Sequence, residues 1–487
     1  MMNKTYGVCF GLLAFGLVGL GTPASRAQGR LAAGETGGAS ETAGTSAASS
    51  SSSPAASSPA DLRQRIDALK AELAKLNTEL AAEKDEDSAT SAAAPQDQGS
   101  PAPATPAQAA APAAAAPMPL PSPSMTAPLS TAVPHEFPAG PFGKLDVTGI
   151  LSGVGDVIGN RVNTSDSIAH ADISNAQVFV QKTTGWFQFY LQGGAYNILT
   201  LGAPFSQTGP TISNLYGAIP EAYLKLAKGN FNIEVGALPT LVGAEYTFSF
   251  ENLNIERGLL WNQETAVSRG VQLNETYKKL TLAFSVNDGY YSNRYTTLSG
   301  SLAYAINSSN TLTFIGQGNA GSNVKNTTAT PKLQNNSMIY NLIYTYTHGN
   351  WFISPYYQYN AVKANPTIGI LAASHTNGGA ILANYNFKHG FSFAVRPEYI
   401  RSSSGNLLDP NTNLLGLGFS GIGSFGPGSG AFSFTATPTW AKDGFFVRAD
   451  ISVVHMTNLP ASGGTAFGPT GTDANQPRGL IEAGFMF

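Results

Sequence analysis

The feature that most constrains this chain is a two-residue alternation of apolar and polar side chains that recurs through residues 143–487. In one such run Phe391, Phe393 and Val395 alternate with polar or small residues, and comparable runs occur at 187–192, 231–235, 445–452 and 480–487. Successive side chains of a β-strand point to opposite faces, so this alternation predicts half-buried strands. We therefore predict an all-β region.

Two fold classes fit the alternation. A soluble sandwich buries its apolar faces in a dry core, whereas a membrane barrel turns them to lipid and its polar faces to a wet lumen. The strands are long and numerous, and the chain ends on a strand, which favours the barrel. We predict that its outer face contacts outer-membrane lipid. The charged residues of opposite parity are then expected to face the lumen: Lys225, Glu234, Arg396, Glu398, Arg448, Asp450 and Glu482.

The strand count predicts the topology. Sixteen segments between residues 145 and 487 are interpreted as strands, and short and long connections alternate between them. Outer-membrane barrels have an even number of antiparallel strands, with short periplasmic turns and long outer loops. Counting 413–421 as a strand would break this alternation, so we assign 402–429 to an outer loop. The prediction is an up-and-down transmembrane barrel of about sixteen strands enclosing an aqueous channel.

The final residues resemble a barrel assembly signal. The chain ends Gly-Phe-Met-Phe, with Phe485 and Phe487 on the apolar face of the last predicted strand. This ending is similar to the terminal signal of bacterial outer-membrane barrels, which implies insertion into that membrane.

The N-terminus predicts export. Residues 1–27 combine one early lysine, an apolar stretch and a Ser-Arg-Ala cleavage site, the pattern of a secretory signal peptide. The single cysteine, Cys9, lies inside the apolar stretch, so the mature chain is expected to lack cysteine. A disulfide framework and a cysteine-ligated zinc site are thereby excluded.

Three segments separate the signal from the barrel. Residues 28–60 are low-complexity and rich in Ser and Ala, and 88–142 are a Pro/Ala-rich segment typical of an extended, disordered tether. Between them, residues 61–87 predict a short helix with a coiled-coil seam, which favours association with copies of itself; a lone amphipathic helix is the alternative. The heptads do not fix the copy number, although a trimer is consistent with them. The seam is Leu62, Ile66, Leu69, Leu73, Leu76 and Leu80.

Four short sequences carry a family resemblance. They are Gly-Ala-Leu-Pro-Thr-Leu-Val-Gly-Ala-Glu at 236–245, Asn-Ile-Glu-Arg at 254–257, Ser-Arg-Gly-Val at 268–271 and Asn-Asp-Gly-Tyr at 287–290. Over residues 145–487 the series resembles the putative beta-barrel porin-2 family (OmpL-like). The resemblance implies an outer-membrane pore.

The third predicted outer loop, about 239–266, is the candidate constriction. In general porins this loop folds into the lumen, and fixed charges act strongly in a narrow passage. Four acids against one arginine would mildly favour cations. The alternative is an extracellular loop held on the rim by its aromatic residues. The candidate residues are Glu245, Glu251, Glu256, Arg257 and Glu264.

Other functions find little support in the sequence. The net charge of −3 gives no basic field for nucleic acid. No HExxH or GxSxG motif occurs, and we expect no enzyme activity, metal or cofactor. Two functions remain: a pore for passive diffusion of small hydrophilic solutes or ions, and a structural anchor linking the barrel through its coiled coil to periplasmic partners or the cell wall.

Overall fold

The computed structural model describes residues 129, 135–161, 167–402, 430–457 and 467–487. The chain divides into two compact units, 1–108 and 109–487, and all described residues lie in the second. The predicted signal peptide, the low-complexity segment, the coiled-coil helix and residues 88–128 and 130–134 of the predicted tether fall outside the described residues.

A short strand, β1 (His135–Pro138), precedes sixteen long ones. Each long strand pairs antiparallel with its neighbour in sequence, and β17 pairs with β2 to close the ring, which confirms the predicted sixteen-stranded barrel. The long strands are β2 (Lys144–Ile158), β3 (Ala169–Lys182), β4 (Phe187–Tyr196), β5 (Glu221–Lys228), β6 (Phe231–Pro239), β7 (Val267–Tyr277), β8 (Leu280–Asn287), β9 (Thr297–Asn307), β10 (Asn310–Asn319), β11 (Ser337–His348), β12 (Trp351–Val362), β13 (Ser374–Asn386), β14 (Phe391–Ser402), β15 (Gly430–Lys442), β16 (Phe445–Thr457) and β17 (Asn475–Met486).

Short and long connections occupy opposite ends of the barrel, here called the short-turn end and the long-loop end. Turns such as 349–350 close hairpins with two residues, and Gly349 there has a φ of 57°, which glycine adopts without strain. A short helix, α1 (Thr208–Asn214), lies in the second long loop, 197–220. Within the described ranges no helix is long and apolar enough to cross a bilayer.

The two faces of the wall differ as the alternation predicts. Outward-facing side chains include Phe314, which is 50% exposed, and Ile481, which is 56% exposed. Inward-facing neighbours such as Gln358 and Thr437 are polar and fully buried. An apolar band around a whole barrel cannot face water at acceptable cost, so lipid surrounds the wall.

The seam between the first and last long strands departs from the sequence prediction. Phe487 and Gly149 exchange backbone hydrogen bonds of 3.0 and 2.8 Å, and pairing of β17 with β2 ends there. Beyond that point β1 pairs with residues 144–147 of β2. Assigning residues 135–138 to the tether was therefore wrong. Four residues are too few to show a periodicity, and this strand forms because it covers the open edge of β2.

Candidate functional site

The third long loop, residues 240–266, folds into the barrel. Every residue from 247 to 261 is buried, so protein covers the side chains on both faces of the loop. The side chain of Asn252 shapes its bend: the amide oxygen accepts a hydrogen bond from the backbone N–H of Tyr246, and the amide nitrogen donates to the carbonyl oxygens of Tyr246 and Phe248. One asparagine thus satisfies the backbone groups of a segment that has no strand partner.

The loop reaches opposite sides of the wall. The hydroxyl of Ser249 lies 2.8 Å from the amide nitrogen of Asn175 on β3, and the carbonyl oxygen of Leu260 accepts a 3.0 Å bond from Gln358 on β12. Further hydrogen bonds join the loop to one inward-facing side chain on each of seven more strands. They are Gln317, Asn341, Thr376, Glu398, Thr437, Asp450 and Glu482. The loop therefore crosses the lumen.

Apolar contacts fix the loop at two places. Leu259 and Leu260 belong to a buried cluster that includes Ile339 of β11. On the other side, the rings of Phe248 and Tyr196 pack edge to face at 5.2 Å between centroids. Burial of this much apolar surface outweighs the entropy lost when a long loop is ordered.

Buried charges form the remaining contacts. Arg396 of β14 pairs with Glu245 of the loop and lies 3.2 Å from Glu398 on its own strand. Arg478 of β17 contacts Glu256 of the loop at 2.7 Å. We call eleven buried charged residues of this region the loop–wall cluster: Glu245, Glu251, Glu256, Arg257, Glu264, Arg396, Glu398, Arg448, Asp450, Arg478 and Glu482. Two further buried carboxyl groups lie beside it: Asp156, which pairs with His170, and Glu221.

All five predicted constriction residues lie in this loop. Arg257 donates to the carbonyl oxygen of Ile255 at 3.2 Å, and its Nε and Nη2 have no hydrogen-bond partner within the described part of the chain. Both carboxyl oxygens of Glu264 likewise lack a partner among the described residues. Both side chains are buried, and Glu264 lines a cavity together with Trp261 and Tyr290.

The predicted wall residues divide into two groups. Arg396, Glu398, Arg448, Asp450 and Glu482 are all buried where the loop meets β14–β17, and Arg448 pairs with Glu482 at 2.6 Å. At this level the third loop occupies the lumen, so these inward-facing side chains contact the loop or one another.

The second group lies apart from the loop. Lys225 of β5 and Glu234 of β6 pair with each other at 3.3 Å. The lysine side chain is 32% exposed.

Sequence reasoning missed Arg478. Residues 478 and 482 share the same parity on β17, so the alternation that identified Glu482 could also have identified this arginine. Asp288 is a second residue that sequence reasoning did not identify. Its carboxylate accepts hydrogen bonds from the backbone N–H and Nε of Arg269 and from the N–H of Asn293. The family sequences 268–271 and 287–290 thus meet, and their contact joins the start of the loop between β8 and β9 to strand β7.

Burial raises the pKa of three carboxyl groups in the third loop. It raises the pKa of Glu245 to about 7 against the opposing effect of Arg396, and it raises the pKa of Glu251 to about 7. Burial also raises the pKa of Glu264 well above its usual range, aided by the nearby Glu245 and Glu398 carboxyl groups. Among the described residues, no three His, Cys, Asp or Glu side chains form a group that could hold a metal.

A closed barrel with an apolar outer face, a polar inner face and a loop folded into its lumen has the architecture of an outer-membrane channel. Residues 144–487 match the family model described as "Putative beta-barrel porin-2, OmpL-like". The match spans well over half of the chain, which therefore belongs to this family of porins.

Solved outer-membrane proteins have similar structures. The anion-selective porin of Comamonas acidovorans is 11% identical, with 70% of this chain and 99% of that one covered and a TM-score of 0.48. OmpF of Salmonella typhi, in a complex with daunomycin, is 14% identical, with 72% and 100% covered and a TM-score of 0.46. The channel DcaP of Acinetobacter baumannii is 10% identical, with 73% and 100% covered and a TM-score of 0.44. A search of curated proteins finds no match.

Proposed function

We propose that this porin supports passive diffusion of small hydrophilic solutes and that its third loop sets the narrowest section of the passage. The observation that carries the proposal is the uninterrupted burial of residues 247–261 inside the barrel. Diffusion needs a lumen, a constriction and a concentration gradient, and it needs no cofactor. The short-turn end faces the periplasm, as short turns do in this class.

The N-terminal segment completes the proposal. Leu129 is buried in one cluster with Ile150 and Met486 inside the barrel, so the tether proposed to extend into the periplasm covers residues 88–128. A coiled coil over 61–87 would support association of copies of the chain, with a trimer as one outcome.

Planar-bilayer recording tests the proposed channel. Purified protein that migrates as a folded barrel on unheated gels is expected to give stepwise conductance, and a variant lacking residues 28–128, which keeps the buried Leu129, is expected to retain it. A folded, inserted barrel that stays electrically silent would contradict the proposal and favour the anchoring alternative.

The protonation of the loop predicts a pH-dependent ion preference. Glu245 and Glu251 hold their protons below about pH 7 and release them above it, because burial has raised both pKa values. Arg396, Glu398, Glu264 and Arg257 face Glu245, and Arg257 and Glu221 face Glu251. The loop therefore gains negative charge as pH rises, and cation preference should increase between pH 5.5 and 8.5.

Reversal potentials under a KCl gradient measure this change. The combined variant Glu245→Gln and Glu251→Gln is expected to flatten the pH dependence, whereas Asp443→Asn, in an exposed turn, should leave it intact. Wild-type protein with the same ion preference at both pH values would contradict the prediction.

A further inference from the structure

The charges of the lumen are unevenly distributed. All eleven residues of the loop–wall cluster are buried, and most of them pair with one another or with the loop backbone. A solute in the lumen cannot contact a charge that protein atoms cover on all sides. The strongest charges of the barrel are therefore structural and do not form part of the surface that a solute meets.

The cluster also has little net charge at mildly acidic pH. It contains seven carboxyl groups and four guanidinium groups. Burial favours the protonated forms of Glu245, Glu251 and Glu264, which leaves four carboxyl groups to match four arginines. The field that the cluster projects into the lumen is correspondingly small.

The short-turn half of the lumen presents a different surface. Lys225 with its partner Glu234 is the charged exception on the inner faces of β4–β11 in that half, within the described residues. The half-buried side chains that face the lumen there otherwise include hydroxyls and amides on six strands. They are Gln188, Asn232, Asn274, Ser301, Thr311, Thr313 and Thr345.

The amides of this surface are hydrogen-bonded into a row. Gln272 donates to the amide oxygen of Asn274 at 3.0 Å, and Asn274 donates to that of Asn232 at 2.8 Å. Each amide group carries two donors and two acceptor lone pairs, so such a row retains unused donors and acceptors of both kinds. A surface of this kind exchanges hydrogen bonds with solute hydroxyl groups as readily as water does.

We propose that at mildly acidic pH the passage selects by size and hydrogen bonding and does not discriminate cations from anions, and that its preferred solutes are small neutral polyhydroxylated compounds, because no fixed charge offsets the cost of desolvating an ion. This inference rests on the proposed channel function and replaces the mild cation preference that a count of loop charges predicts. The inner face of β6–β11, on which the charge of Glu234 is paired with Lys225, is the specificity-determining surface.

Liposome swelling and reversal potentials at pH 6 test the inference together. Glucose is expected to enter faster than either gluconate or glucosamine, which differ from it mainly in charge. The permeability ratio of K⁺ to Cl⁻ is expected to lie within about threefold of one, because no unscreened charge sorts the ions.

A ratio beyond that limit, or a charged sugar that enters as fast as glucose, would overturn the inference while leaving the channel intact. Absence of both swelling and conductance would overturn the proposed channel function and this inference with it.

A charge placed on the neutral surface provides the matched variant. Thr313→Asp introduces a carboxylate on the inner face of β10 and is expected to raise the K⁺ to Cl⁻ permeability ratio at least about threefold. Asp443→Asn changes one charge in an exposed turn and is the control. If Thr313→Asp leaves the ratio unchanged, solutes do not pass along this surface and the inference is wrong.

Discussion

Replacing Gly149 by valine is expected to weaken the end of the seam that closes the barrel. A Cβ atom built on Gly149 would lie 2.3 Å from the ring of Phe487, far inside van der Waals contact. The same residues exchange the last two hydrogen bonds of the seam between β2 and β17. Valine must displace the terminal ring, and the seam then opens at its end. Because the displaced ring is the free end of a terminal side chain, the folded fraction on unheated gels should fall only in part, to a value below the wild-type yield.

Gly153 supplies a matched control for this change. It lies on the same strand with the same outward parity, and the nearest atom to its added Cβ is the carbonyl oxygen of Asp172 at 3.7 Å, an ordinary contact. Gly153→Val should therefore fold to near wild-type yield. Equal yields from the two valine variants would mean that the terminal ring does not close the seam. The role of Phe485 and Phe487 as an assembly signal stays a prediction, which this experiment does not address.

Replacing Arg396 by methionine is expected to release the third loop. The guanidinium group pairs with Glu245 and Glu398 and donates to the carbonyl oxygen of Glu256 at 2.8 Å, and all of these groups are buried. Removing one partner of a buried ion pair destabilises the folded state by about 3–5 kcal/mol, because the remaining charge stays buried without a partner or water to stabilise it. That cost falls mainly on loop packing, since the barrel wall keeps its backbone pairing.

Limited proteolysis and single-channel noise measure the release. The Arg396→Met variant should be cut within residues 240–266 and should show frequent conductance fluctuations. Arg401→Met removes an exposed arginine from the same strand and should behave as wild type. Adding Glu245→Gln and Glu398→Gln to Arg396→Met removes the two carboxylate charges that have lost their partner. This triple variant should regain much of the resistance to proteolysis. An uncut loop in Arg396→Met would show that the pair does not hold it.

The strands could be predicted from sequence because alternation is a local property. The predicted strand 391–401 corresponds to the observed Phe391–Ser402, since apolar and polar residues there mark the two faces directly. Strand β1 escaped prediction because it has only four residues, and its reason for forming is the unpaired edge of β2. The predicted outer-loop segment 413–421 lies outside the described residues, while β14 and β15 pair directly around the ring.

The candidate site was predictable only in part. Parity showed which wall charges point inward, but it cannot show what fills the space they point into. Glu245 and Arg396 are 151 residues apart, and no local pattern connects them. The same holds for Asn254 and Thr437, whose side chains meet across the lumen at 2.5 Å. Loop composition indicated a constriction, whereas the extent of its burial follows from contacts that only the closed barrel creates.

The single-channel conductance of a variant with a shortened third loop tests directly whether this loop sets the narrowest section of the passage. Pro239 and Val267 pair directly, so a four-residue turn can replace residues 241–265 without disturbing β6 or β7. If the loop sets the narrowest section, conductance in KCl should rise severalfold over wild type at unchanged folded yield. A shortened loop that leaves the conductance of a folded barrel unchanged would contradict the account, because the passage would then lie elsewhere.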